Sequence, residues 1–348
     1  MKLIESKAEY IPQEEGLEGI YKQIELAGRT AYKSEDKMID IISIDIASLP
    51  ENINIEDIPN YKENKQQCIE YLCNYNIKYQ VISSAKDFVD RMIKSKHGAA
   101  LEHGTVYLFI PQETNYEVFE RYIKNNYSHT FEVLLLSRPK GLYVVTNYRV
   151  LAENNWLDDL KYLCSPTELH EKRYTMRFTC SRAIANELVR HRTVSFLQES
   201  TRYINYSKER HGGEITFIIP SWLPEIGESR VNTMLEEINV REDIEDDKKS
   251  WVASCLLSAC MDTERMYFEA LENGATPQQA RDVLPNATKT ELIMTGFASD
   301  WRHVLDLRLF EKTGSVHPDM LDLMQKAQKA MQEAGIWEDI MSKPSKFE

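Results

Sequence analysis

Three short runs rich in β-branched and aromatic residues, at 105–110 (TVYLFI), 141–147 (GLYVVTN) and 174–180 (YTMRFTC), set the limits on what this chain can fold into. A fourth, at 215–219, is closed by Pro220. Helical spacing of apolar residues predicts helices between and around them. Over 15–35 the stripe is Leu17, Ile20, Tyr21, Ile24 and Ala27, with Gly28 as the expected C-cap. Over 84–95 it is Phe88, Met92 and Ile93, and a further helix is read over 115–126. Ser181 is placed to cap a helix carrying Ala183, Ile184 and Leu188. Residues 250–272 form an amphipathic helix with Trp251, Val252, Cys255, Leu256, Ala259, Tyr267 and Leu271, and helical patterns also cover 288–309 and 318–334, the last stopping at Gly335. Residues 40–66 read as irregular. Strands and helices mix without the alternation of a doubly wound parallel sheet, and no GxGxxG follows a strand, so a Rossmann unit is not supported.

Charge narrows the partners. The 348 residues carry a net charge of −13, which argues against general affinity for nucleic acid or an anionic membrane. An anionic ligand must therefore be held by a local cluster of arginines and backbone amides. The six cysteines form no CxxC pair and no zinc-ligand spacing, so free thiols and no metal are expected. The first residues, MKLIESKAEYIPQEEG, lack the apolar stretch of a signal peptide, and no run of about 20 apolar residues suggests a membrane span, so the expectation is a cytoplasmic protein. The acids between 225 and 249 read as a solvated surface. His129, His170 and His211 are expected at the surface or in caps.

The densest chemical signal is RHRTVSFLQESTRY, from Arg190 to Tyr203. Arg190, His191 and Arg192 are awkward as core and well suited to an anion, because guanidinium presents fixed forked donors. Ser200, Thr201 and Arg202 add hydroxyl, amide and guanidinium donors for a phosphate or a uracil edge. On these residues alone, a basic helix end offsetting the helix dipole accounts for the cluster equally well.

The segment resembles the signature of the flavin-dependent thymidylate synthases: RHR, seven residues, then Ser. The longer form RHRxxSxxxxSxRY matches at Arg190, His191, Arg192, Ser195, Ser200, Arg202 and Tyr203. Three further segments resemble the same family in its order: GRTAYKS at 28–34, HGAALEH at 97–103, and ARDVLPNAT at 280–288 followed by Trp301-Arg302-His303 and Leu307-Arg308. The resemblance implies an α+β fold, a mixed and largely antiparallel sheet packed with helices. It implies a single domain over 1–348, with an N-terminal insertion at about 36–83 and an acidic one at about 225–249.

It also implies an enzyme that methylates dUMP at C5, with FAD as cofactor and NADPH and 5,10-methylenetetrahydrofolate as co-substrates, in a homotetramer that shares its active sites. Arg190, His191 and Arg192 would contact FAD, with His97 and Glu102 near flavin and substrate and His303 reaching the flavin of a neighbouring subunit. Arg202, Arg281 and Arg308 would hold dUMP, Gln198, Ser200 and Thr201 would surround its phosphate and base, and Tyr203 would gate the pyrimidine. Cys180 is expected in the core, and Ser200 as a ligand group, not a nucleophile. Where many members have Asn and Arg after Thr-Gly, this chain has Phe297 and Ser299; Ala99 and Glu187 are smaller departures. Two alternatives stay open: a related hydroxymethylase, and a nucleotide-binding homologue without FAD.

Overall fold

The structure is a computed structural model that describes residues 1–50, 52–133, 140–208, 212–223 and 248–347. The acidic stretch at 225–249 lies outside them except for its last two residues, as do His211 and the side chain of Trp251. The strands are β1 (Lys2–Ile4), β2 (Lys7–Ile11), β3 (Asp40–Ile44), β4 (Tyr79–Ser83), β5 (Thr105–Pro111), β6 (His129–Val133), β7 (Gly141–Asn147), β8 (Arg173–Ser181), β9 (Ser195–Gln198), β10 (Thr216–Ile218) and β11 (Lys289–Phe297). The helices are α1 (Gly16–Tyr32), α2 (Lys65–Asn74), α3 (Ala85–Lys94), α4 (Gly98–Leu101), α5 (Tyr116–Ile123), α6 (Tyr148–Glu153), α7 (Arg182–Leu188), α8 (Lys248–Glu272), α9 (Pro277–Ala280), α10 (Ala298–Arg308), α11 (Pro318–Glu333) and α12 (Trp337–Met341).

The main sheet is antiparallel throughout, in the order β2-β8-β11-β9. Alternation along β8 turns Tyr174, Met176, Phe178 and Cys180 to one face, where Leu292 and Met294 of β11 join them. Helices α7, α10, α11 and α12 cover that face with Ile184, Leu188, Trp301, Leu305, Met324 and Ile340. A second antiparallel sheet, β5-β7-β6, builds another core with α1 and α3 through Val106, Leu108, Val144, Ile20, Ile24 and Phe88. Helix α1 also packs on β9 and β11, so it ties the two sheets together. The mixed, largely antiparallel α+β architecture is thus as the sequence implied, with β1–β10 a small parallel exception.

Three local expectations change. Gly28 does not end α1. The helix runs on to Tyr32, and the left-handed turn that closes it falls on Lys33 at φ 46°, with Ser34 N–H donating to Arg29 O at 3.0 Å. Gly28 is small for a packing reason, since a Cβ there would lie 2.4 Å from Phe88 Cζ. The helical pattern over 288–309 is half strand: β11 ends at Phe297 and only then does α10 begin. Every β11 residue except Glu291 is buried, so the two-residue alternation that marks a strand is missing. Finally, 40–66 is not wholly irregular. It contributes β3, which pairs with β4, and its Ile53 and Tyr61 pack with Cys68 and Leu72 of α2 in a small separate core.

Urea unfolding tests the Gly28 assignment. Gly28→Ala should lose about 1–3 kcal/mol through overpacking against Phe88, more than the ~1 kcal/mol alanine adds to a helix interior. A variant more stable than the parent would show that the Phe88 ring yields freely.

Candidate functional site

The site is organised by the β8–β11 ladder. Its nine-residue register sets Lys289 opposite Ser181 and Phe297 opposite Arg173, so α7 leaves one end of the strand pair and α10 the other. Ser181 Oγ accepts from Ile184 N at 3.3 Å to start α7, and the Asp300 carboxylate accepts from Phe297 N at 3.2 Å to start α10. Both helices run inward over the same face, and their last turns meet.

Arg308, in the last turn of α10, is the meeting point. Its Nη1 donates to Glu187 Oε2 at 3.0 Å, its Nη2 to the Glu187 carbonyl at 3.4 Å, and its Nε to His191 Nε2 at 3.2 Å. The carbonyl contact adds a second donor to a helix-end acceptor that Arg190 N–H already meets at 3.3 Å. The Nε contact requires an unprotonated His191 Nε2. Burial pushes His191 down to about 4, helped by the neighbouring charges of Arg308 and His303, so that lone pair is present at neutral pH. The His303 ring lies 6.4 Å from the His191 ring, edge to face, and its Nδ1 is buried with no hydrogen-bond partner among the described residues. Guanidinium carries five N–H donors and three are engaged, which leaves two on Arg308 for a ligand.

The signature continues as a turn and then as β9 on the edge of the sheet. Arg190 and Arg192 are exposed and form no ion pair among the described residues. Gln198 Nε2 donates to Thr290 Oγ1 at 3.3 Å, and Ser200 N–H donates to Ala31 O at 2.9 Å, which joins the signature to the GRTAYKS segment at the end of α1. Thr201 is buried. Arg202 is exposed, its guanidinium 5.5 Å from the Tyr203 ring, and Tyr203, 58% exposed, leans on Tyr32 at 5.6 Å. Arg281 is half-buried, 4.0 Å from Asp282. Bonding thus joins His191 to Arg308 and sets His303 beside them, while among the described residues Arg202 lies over Tyr203 and Arg281 faces Asp282, each a sequence neighbour.

His97 stands exposed just before α4, and Glu102 after it is held by Arg149. Their neighbour His103, the last residue of the HGAALEH segment, is fully buried, with Nδ1 2.8 Å from Thr295 Oγ1. Burial and the nearby Arg173 push it down to about 3. Cys180 is in the core, where burial pushes its thiol up to about 12, so no thiolate nucleophile is available there. Phe297 is built into a stack: His129 lies parallel to it at 3.6 Å and the Arg173 guanidinium sits 5.3 Å from its ring. The expected surface histidine at 129 therefore has a packing partner, and Glu171 holds its Nδ1. Sequence marks Glu187 only as a small departure from the family pattern, because nothing local says that a helix-end carboxylate will face an arginine 121 residues later.

Comparison with known proteins gives the class. The family described as thymidylate synthase complementing protein matches residues 149–334, more than half of the chain. The chain belongs to that family. A flavin-dependent thymidylate synthase of Synechocystis is 27% identical over 146 residues, which are 42% of this chain and 61% of that protein. Those of Pyrococcus furiosus and Corynebacterium efficiens are 32% and 36% identical, each over 38% of this chain and 44% and 47% of their own lengths. The match thus spans about half the length of these relatives. Among solved structures, a UMP/dUMP methylase PolB from Streptomyces cacaoi aligns over 98% of this chain and 95% of its own, at 14% identity and a TM-score of 0.37.

The neutral His191 makes a pH prediction. A histidine whose folded value is depressed binds its proton more weakly folded than unfolded. Its neutral form therefore costs nothing above the unfolded value near 6.5, and stability falls as pH drops from there toward about 4. Melting temperature should decline across that window, less steeply in His191→Gln; His103 retains part of the slope. An unchanged slope in the variant would show that folding does not depress His191.

Proposed function

We propose that this chain is a flavin-dependent thymidylate synthase, which joins the methylene of 5,10-methylenetetrahydrofolate to C5 of dUMP and yields dTMP. The observation that carries the reading is the meeting of Arg308 and His303 with a neutral His191, which belongs to a signature that matches the family at seven spaced positions. The donor set fits FAD: Arg190 and Arg192 are exposed and unpaired among the described residues, His191 is neutral, and His303 keeps a buried nitrogen without a partner. These four residues, with Glu102 and His97 nearby, would hold it. FAD, when bound, passes on the hydride that NADPH supplies.

The chain's own residues bind and polarise the nucleotide. Arg202 and Arg281 would neutralise the dUMP phosphate through charge-assisted hydrogen bonds. Gln198, Ser200 and Thr201 would surround phosphate and base, with Tyr203 closing over the pyrimidine. The two remaining N–H donors of Arg308 would face the uracil carbonyl–imide edge and stabilise negative charge there, raising electron density at C5 without a cysteine adduct. Glu187 holds the same guanidinium in place from behind. We infer further a single domain over 1–348, with 36–83 and the acidic 225–249 as additions, a homotetramer with shared sites, and a cytoplasmic location. Among the described residues no helix is long and apolar enough to cross a membrane.

The test is dUMP-dependent NADPH oxidation under limited oxygen, with folate added last. Arg308→Ala and Arg202→Ala should each lower kcat/KM by about a hundredfold or more, a loss of ~3 kcal/mol of transition-state stabilisation, with an unchanged circular dichroism spectrum. Near-normal rates in both would remove these arginines from the site. In His191→Ala the flavin content after purification should drop; full retention would take FAD away from this histidine.

A further inference from the structure

A buried ionic cluster lies directly behind the segment assigned above to the nucleotide, and the reaction as described makes no use of it. Glu199 sits between Gln198 and Ser200 and is 3% exposed. Its carboxylate accepts from Lys289 Nζ at 3.0 Å and from Glu291 N–H at 3.2 Å, and Lys33 Nζ lies 3.4 Å from its other oxygen. Lys289, 8% exposed, also meets the Glu291 carboxylate, which Arg177 holds from the far side through Nε at 2.9 Å. Burial acts to lower the Lys289 ammonium, yet the two carboxylates outweigh it and raise it, so the ammonium keeps its charge. The cluster spans four separate stretches of chain: the end of α1, β8, the end of β9 and the start of β11.

Its placement decides its role. The β9–β11 ladder ends at Gln198, opposite Leu292. Beyond that point the backbone bonds holding the signature to its surroundings include Glu199 N–H to Glu291 O at 2.8 Å and Ser200 N–H to Ala31 O at 2.9 Å. A buried ion pair adds little net stability relative to apolar residues of similar volume, because desolvation offsets the attraction. What it adds is direction: the Glu199 carboxylate takes donors from a side chain and a backbone amide of β11, and its other oxygen faces the ammonium of a lysine after α1. Donors fixed in one geometry before a ligand arrives lose less entropy when it binds.

We propose that Glu199 and Lys289 are positioning residues for the nucleotide: the pair locks the segment from Gln198 to Arg202 against β11 and the end of α1, so that Ser200, Thr201 and Arg202 present their donors already arranged. The inference rests on the functional reading above, since it takes dUMP as the ligand. It is tested by calorimetric titration of the flavin-loaded full chain with dUMP, with melting temperature and flavin content measured alongside. Lys289→Met and Glu199→Gln should each weaken dUMP binding by roughly tenfold or more while flavin content stays at the parent level; Glu199→Gln keeps the side-chain shape and serves if Lys289→Met folds poorly. The double variant Glu199→Leu with Lys289→Met should recover melting temperature, because no buried charge is left unpaired, and still bind dUMP weakly. Recovery of affinity together with stability would make the pair merely structural and overturn the proposal, as would parent-level affinity in both single variants. A parent protein that binds no dUMP would instead sink the functional reading, and this inference with it.

Discussion

Everything at the candidate site depends on the pairing of β8 with β11. The two strands run antiparallel over nine residues, and each hands the chain to a helix at its far end. Because the strands are opposed, so are the helices, and it is their C-terminal turns that meet. That geometry alone carries Arg308 to Glu187 and His191 across 121 and 117 residues of sequence. A slip of one residue would turn Met176, Phe178 and Cys180 away from the helical layer and bring Thr175 and Arg177 into it, so the buried alternation pins the register. The site inherits its precision from the core beneath it.

Charge is distributed to suit an anionic ligand in an acidic protein. The chain is strongly negative overall, so the global field repels a nucleotide. Locally, Arg190, Arg192 and Arg202 are exposed, whereas Glu187, Glu199 and Glu291 are spent on cations of the framework: Arg308, Lys289 and Arg177. Guanidiniums therefore face outward while carboxylates hold them or their supporting segments from behind. His191 fits the same logic. Kept neutral by burial, it accepts from Arg308 where a protonated ring would repel it. The stack of His129 on Phe297, with Arg173 over the ring, gives the departure at Phe297 a structural role, and His103, in the turn before β5, makes a buried polar contact with Thr295 of β11.

Much of this was legible in the sequence, for identifiable reasons. The runs at 105–110, 141–147 and 174–180 became strands because β-branched and aromatic residues fit a pleated sheet, and Ser181 caps its helix as its side-chain chemistry dictates. Segment 289–297 was read as helix because a strand buried on both faces shows no alternation. Strand β2 was missed because KAEYI owes its place to β8 beside it, a partner more than 160 residues away. The signature pointed to an anion site through residue type and spacing. What it did not disclose was how the site is held: Glu187 facing Arg308, and Lys289 facing Glu199, are encounters between distant elements. A lone lysine opening an apolar run looks like a surface residue until the β9–β11 pairing sets it over a buried carboxylate.

The central claim is that Arg308, brought to Glu187 and His191 by the pairing of β8 with β11, turns a pyrimidine nucleotide toward one-carbon transfer. The most direct measurement is the mass of the nucleotide recovered after the full chain is incubated with FAD, NADPH, 5,10-methylenetetrahydrofolate and dUMP. The account predicts dUMP heavier by one methyl group, and none without the folate. Recovery of unmodified dUMP from flavin-saturated protein, or of a hydroxymethylated product, would contradict it.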